Sequence, residues 1–180
     1  MICWGMGTSG RLGDGTVGIW HDTPVNVSGL TDAVEVSAGD SHTCARRVSG
    51  QVVCWGSNLF GKLGDGTSAS RAVPVNVVGL ADAVEISAGV AHSCARRASG
   101  QVVCWGYNGD GALGDGMIAT SKTPVDVMGL GDATQISVGW GQSCARRASG
   151  QLVCWGANNR GQLGDGTMTA RSAPTNVSPN

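Results

Sequence analysis

The chain has 180 residues, a formal net charge of −1 from 12 basic and 13 acidic side chains, and 41% apolar residues, enough for one ordinary domain with a core. Its apolar runs stop far short of the roughly 20 residues a spanning helix needs, and its balanced charge supplies no basic face, so neither membrane insertion nor nucleic-acid binding is expected. Thirty glycines and eight aromatic residues disfavour a helical bundle, because residues suited to positive φ punctuate helices; short strands are expected instead.

The first element in the chain is MICWG, and its CWG returns at 54–56, 104–106 and 154–156. Cys3, Cys54, Cys104 and Cys154 are 51, 50 and 50 positions apart, which sets a repeat of about fifty residues. Each CWG is followed by six variable residues, LGDG, a second variable stretch, P-V-x-V-x-G-L, a D-A-V-E-I-S-A-G string and a cysteine hairpin such as HSCARRASGQVVCWG at 92–106. Val75 and Val77 alternate about Asn76, and Val84 and Ile86 alternate with Glu85 and Ser87, the two-residue period of strands. Gly79, Gly89 and Gly100 separate these runs. Four short strands per repeat, joined by glycine turns, predict an all-β fold of β-propeller blades, each with four antiparallel strands.

The repeats divide a single repeat domain, 1–180, into a partial unit at 1–23, full units at 24–73, 74–123 and 124–173, and the start of a further unit at 174–180. In this frame ICWG and PTNV (174–177) are orphan strands at the two ends, and such open blade edges predict imperfect self-association.

The hairpin fixes a register. If Ala98-Ser99-Gly100 is a three-residue loop with Gly100 left-handed, Arg97 faces Gln101, Ala95 faces Val103, and Cys94 falls opposite Cys104. The same arithmetic pairs Cys44 with Cys54 and Cys144 with Cys154 and leaves Cys3 alone. This pairing has two readings. Cross-strand disulfides would stabilise each hairpin by roughly 2–3 kcal/mol and point to an extracytoplasmic or secreted protein; reduced, buried thiols would be the cytosolic alternative. Disulfides are the preferred reading. A zinc site is disfavoured, because opposed strand cysteines supply two ligands per unit and no recurring His or Cys completes four.

Taken together, CWGxNxxGxLGDGT, PVxV, a strand ending in Ala-Gly, and HSCA resemble the repeats of the regulator of chromosome condensation family in their bacterial, cysteine-containing form. The resemblance covers essentially the whole chain. It implies a seven-bladed propeller, of which about 3.6 repeats would form an incomplete ring. Members of that family serve as a guanine-nucleotide exchange factor on chromatin, a plant ultraviolet photoreceptor and a protein inhibitor of β-lactamase, so the resemblance implies a face that binds a partner rather than one activity. The exchange factor needs inserted loops and a chromatin-binding arm, whereas the longest variable linker here is the nine residues from Thr16 to Pro24. The photoreceptor's GWRHT motif is met once and partly, at Gly139-Trp140-Gly141-Gln142-Ser143.

Other candidate chemistry reads as structure. GMGTSG at 5–10 fits a dinucleotide pattern, but its counterparts in later repeats do not and no helical pattern comes after it. Asp14, Asp65, Asp115 and Asp165 in GDG supply one carboxylate per turn, too few for calcium. His42 and His92 share a repeat position taken by Gln142 in the third unit, and read as hydrogen-bonded strand residues rather than general bases. The arginine pairs 46–47, 96–97 and 146–147 project to opposite sides of their strands, one member bonded and the other solvated. No catalytic residue, cofactor or metal is expected.

The positions that differ between repeats are 6–11, 57–62, 107–112 and 157–162, the linkers before each proline, and 40–42, 90–92 and 140–142. Trp20, Phe60, Tyr107 and Trp140, half of all the aromatic residues, fall there and are the candidate partner-binding residues. Asp110 reads as an indifferent loop position. The function expected is a non-enzymatic protein-interaction scaffold; the alternative is a guanine-nucleotide exchange factor or another regulator or enzyme of the same fold.

Overall fold

The computed structural model describes residues 1–178, which form fourteen strands and two single 3-10 turns. A two-stranded sheet of β1 (Ile2–Met6) and β2 (Trp20–Asn26) comes first. Three four-stranded sheets come after it: β3 (Ala33–Ala38), β4 (His42–Arg47), β5 (Val52–Gly56) and β6 (Arg71–Asn76); β7 (Ala83–Ala88), β8 (His92–Arg97), β9 (Val102–Gly106) and β10 (Ser121–Asp126); β11 (Ala133–Val138), β12 (Gln142–Arg147), β13 (Leu152–Gly156) and β14 (Arg171–Asn176). Every pairing is antiparallel between strands consecutive in the chain. The described chain is a half blade followed by three complete β-propeller blades.

The sheets correct the sequence frame. They run over 33–76, 83–126 and 133–176, so the PVxV segment is the last strand of the blade before it: Val75 pairs with Cys54, and Thr175 with Cys154. PTNV therefore belongs to the third blade and is no orphan; residues 179 and 180 of the expected further unit lie outside the described residues. ICWG is not an orphan either, since Ile2 pairs with Asn26 and Cys3 with Val25. The cause lies in the long β5–β6 connection. The Asn58 amide donates to the Asp65 carboxylate and to the carbonyls of Thr67 and Ala69, while its oxygen accepts from the Leu63 N–H, so the loop folds back and lays β6 beside β5.

The inner strands also depart from simple alternation. Ala83 and Glu85 pair with Arg97 and Arg96, adjacent residues, so Val84 is bulged out. Ala83 and Ile86 are buried and Val84 is exposed, and the same shift recurs at Ala33/Glu35 and Ala133/Gln135.

The hairpin register is the one the spacing predicts. Cys94 pairs with Cys104 and Ala95 with Val103, the Arg97 N–H donates to the Gln101 carbonyl, and Gly100 has φ +88°. Cys44–Cys54, Cys94–Cys104 and Cys144–Cys154 are disulfides with Cα–Cα distances of 4.1, 4.0 and 4.1 Å, and Cys3 is free. The core lies between sheets rather than within one: Val77, Leu80 and Cys54 of the first complete blade pack with Ile86, Val103 and Trp105 of the second, and the arrangement repeats one blade on.

Two outcomes test this fold. Thiol labelling of denatured, unreduced protein should modify one cysteine per chain, Cys3; modification of seven would refute the three bridges. Gly100 and Gly150 share φ +88°, yet only at Gly100 would an added methyl meet another backbone group, the Gly131 carbonyl at 2.8 Å. Gly100→Ala should therefore destabilise the chain by about 1–2 kcal/mol more than Gly150→Ala in urea titrations.

Candidate protein-interaction face

In an antiparallel meander alternate connections open at opposite ends. The β7–β8 connection and the long β9–β10 connection share one end, tied by a bond from the Tyr107 N–H to the Ala91 carbonyl. The β8–β9 hairpin lies at the other, where the Ala98 N–H donates to the Asp82 carbonyl. Corresponding bonds link Ser57 to Ser41 and Ala157 to Gly141, so the segments that vary between repeats gather at a single end of the arc.

One carbonyl per blade fixes that end. The Lys62 carbonyl accepts from the Trp105 indole N–H at 2.9 Å and the Ser93 hydroxyl at 3.2 Å, both in the next blade. The Ala112 carbonyl serves Trp155 and Ser143 at 2.9 and 3.0 Å, and the Arg11 carbonyl serves Trp55 and Thr43 at the same distances. Two residues further on, the first glycine of LGDG lies against the indole: a Cβ at Gly64 would stand 2.9 Å from Trp105 Nε1. Ser93 and Ser143 give their protons to these carbonyls and accept from His42 and His92 Nε2–H at 2.7 and 2.8 Å, which assigns the tautomer. Both imidazoles are buried with Nδ1 unpartnered. Burial, with Lys62 adding to it, pushes the pKa of His42 down to about 3, and burial lowers that of His92 to about 4. They are neutral bolts between blades. Gln142, in the third blade, accepts a local bond from the Gly141 N–H instead.

The other recurring polar groups are equally committed. Asp65 accepts from the Thr67 N–H and hydroxyl at 2.9 Å and from Asn58 at 3.0 Å. Burial acts to raise its pKa, and these bonds, with Arg71, outweigh burial and hold the carboxyl below the usual range. In Asp165 the Thr167 hydroxyl and then Arg171 lower it likewise. GMGTSG spans the end of β1 and the 3-10 turn Thr8–Gly10, and a side chain at Gly7 would overlap the Ile19 carbonyl. The expectation of one solvated arginine per pair fails in the first two complete blades: Arg46 and Arg47 are paired with Glu35 and Asp32 at 2.8 Å, and Arg96 and Arg97 with Glu85 and Asp82 at 2.8 and 2.6 Å. In the third blade Gln135 stands where the glutamate was, and Arg146 is exposed.

Of the four aromatic candidates, three come together. Phe60, Tyr107 and Trp140, from three successive blades, line a cavity of about 300 Å³ with Val90, Ala91 and Asp110. The Phe60 and Tyr107 rings are 5.0 Å apart between centroids. Trp140 is 71% exposed. Trp20 lies elsewhere, opposite Met6 on the half blade, and lines none of this cavity. Asp110 is the residue that sequence reading passed over. It occupies the repeat position of Phe60, one blade on, and that alignment was the available signal.

The profile of the regulator of chromosome condensation (RCC1) repeat matches residues 1–46, 49–96, 99–146 and 149–180, and a second profile of the same repeat matches 33–62, 83–112 and 133–162. Human probable E3 ubiquitin-protein ligase HERC6 is 37% identical over 68 residues, 37% of this chain and 7% of that protein. Yeast RCC1 (Prp20), in its structure with Kap60, superposes with a TM-score of 0.86 over 99% of this chain and 44% of its own, at 20% identity. Human WBSCR16 does so at 0.86, over 99% of this chain and 48% of its own, at 24% identity. The chain thus spans under a tenth of the curated relative and under half of each of these solved propellers.

The histidine bolts make stability depend on pH. An unfolded histidine titrates near 6.5 and the native sites near 3 and 4, so on acidification the unfolded chain binds protons first. The stability they contribute is whole above about pH 6.5 and is lost as pH falls toward the native values. His42→Gln, which copies Gln142, should shrink the fall in unfolding free energy between pH 7 and pH 4.5 by about 2 kcal/mol. An unchanged pH slope in urea titrations would mean that His42 is not the group that titrates.

Proposed function

The chain belongs to the regulator of chromosome condensation repeat family, and from that premise we propose that it is a non-enzymatic interaction scaffold that binds a protein partner through the variable loops at one end of its blades. The observation that carries this reading is the gathering of Phe60, Tyr107 and Trp140 around one cavity at that end, since large aromatic side chains on a rigid support are the usual anchors of an interface. The recurring histidines and turn aspartates are already engaged: His42 and His92 by serines of the next blade, Asp65 and Asp165 by their own turns. The yeast relative, seen bound to Kap60, is itself a propeller that binds a protein.

Two further parts belong to the same reading. The three disulfides favour an oxidising compartment, and so an extracytoplasmic or secreted protein. Self-association through open blade edges is the second part.

The test begins by cross-linking the folded chain in its native extract, identifying the bound protein and titrating the purified pair by calorimetry. Trp140→Ala should weaken binding at least about tenfold, as loss of a central aromatic anchor does, while Ser99→Ala at the opposite end should leave it unchanged. Equal affinities for the two variants would overturn the assignment of the face.

A further inference from the structure

We propose that the cavity between Phe60, Tyr107 and Trp140 is a cation-binding cage that receives one arginine or lysine side chain of the protein partner. The inference rests on the proposed use of this face and adds the chemistry that the face selects.

Three features of the cavity point to a cation. Three of its lining side chains are aromatic rings: Phe60 and Tyr107 meet at an interplanar angle of 53°, and Trp140, largely exposed, comes from the third blade. Aromatic faces carry partial negative charge, so two or three rings around one small space favour a positive group over a neutral one of equal size. The charged side chain in the lining is a carboxylate, that of Asp110, whose Oδ2 lies about 4.0 Å from where a Cβ on Gly141 would stand, beside Trp140. Asp110 enters no ion pair among the described residues, a state it shares with Asp22, Asp40, Asp115 and Asp126, and it is the one of these five that lines the cavity. The cavity's neighbour Lys62 does not fill this role: its ammonium is bonded to the Ser41 hydroxyl and the Val90 carbonyl, and it lines none of the cavity.

The backbone shapes the same corner. Phe60 has φ +67°, a left-handed conformation it shares with Ser9, the same repeat position in the half blade (φ +60°), and not with Asp110 or Arg160. That conformation is held where the Phe60 ring meets Tyr107, and the Tyr107 ring in turn lies over Gly109, where any side chain would overlap it. The two rings are thus fixed before a ligand arrives. A space of about 300 Å³ suits a single side-chain head group and is too small for a folded element. A side chain delivered by a protein is the occupant that matches both this size and the exposed rim that Trp140 presents.

The experiment is a titration of the whole chain, followed by the indole N–H resonance of Trp140, with N-acetyl-arginine and N-acetyl-lysine methylamides. The neutral N-acetyl-norleucine methylamide and tetramethylammonium are the comparison probes. The basic amides should shift that resonance saturably, with norleucine at least about fivefold weaker. Asp110→Asn, Phe60→Leu and Trp140→Leu should each weaken binding about two- to fivefold, the range expected for one exposed cation–π contact or one screened charge; for Trp140→Leu the amide resonances of Ala91 and Tyr107 report instead. Asp110→Asn is isosteric and Phe60→Leu keeps both bulk and backbone strain, so a loss is not a failure to fold. Equal binding of norleucine, or no response of Trp140 to any probe, would overturn the cage. Tetramethylammonium binding tenfold tighter than the amides would overturn the protein side chain as its source. These probes need no partner, so a cage that binds them while the partner's contacts map to the opposite end would refute the face and leave the cage standing.

Discussion

Everything in this arc depends on one shared carbonyl oxygen at each blade junction. A carbonyl has two lone pairs, and those of Arg11, Lys62 and Ala112 each accept an indole N–H and a hydroxyl from the next blade. The indole is fully buried only because the LGDG glycine below it has no side chain, and at two of the three junctions the hydroxyl, of Ser93 or Ser143, is positioned because it accepts an N–H from a histidine of the blade before. CWG, LGDG and HSCA recur together because they are parts of one joint. A methyl on the glycine strikes the ring, and loss of the indole N–H leaves a buried acceptor short of a donor.

A second device closes the inner rim. The free edges of the inner strands β7 and β11 would leave N–H groups bare, and the blade before each supplies acceptors: Glu35 Oε1 takes the Ile86 N–H and Ser37 the Ala88 N–H, with Glu85 and Ser87 doing the same for Ile136 and Val138. The second oxygen of each glutamate holds Arg46 or Arg96 across the bulge in its own blade. The acid of the DAVEIS string is thus bound on both oxygens, once within the blade and once between blades. Gln135 keeps one amide oxygen and loses the ion pair, which leaves Arg146 in solvent.

Counting along one strand or around one tight turn reaches the local features of this chain and stops there. A three-residue loop with a left-handed glycine fixes its pairing arithmetically, so the register around Ala98-Ser99-Gly100 and all three cysteine pairs were legible in the sequence. The assignment of strands to blades was not, because PVxV is separated from its true partner by fourteen residues and from the next blade's first strand by six, and proximity in sequence favours the wrong neighbour. The decisive group there is the side chain of Asn58, whose amide gathers the loop; it recurs as Asn108 and Asn158, but nothing along the strand says which neighbour such a loop will favour. Val84 was misplaced for a similar reason. Strict alternation is blind to a bulge, and the bulge is marked only by adjacent arginines facing Ala83 and Glu85 across the ladder.

The same logic explains why the aromatic cluster was legible and Asp110 was not. Phe60, Tyr107 and Trp140 stand out because they are aromatic where other repeats are not, and convergence of the blades at one end brings them together without any special device. Trp20 met the same criterion but sits on the half blade, opposite Met6, away from the other three. Asp110 is chemically ordinary beside so many turn aspartates. It differs from Asp65 and Asp165 in its surroundings: those carboxylates are bound by threonine, asparagine and arginine, while Asp110 faces rings. In a scaffold whose repeated polar groups are spent on joining one blade to the next, a carboxylate left over at an aromatic wall is where specificity for a partner can be written, since changing it disturbs no joint.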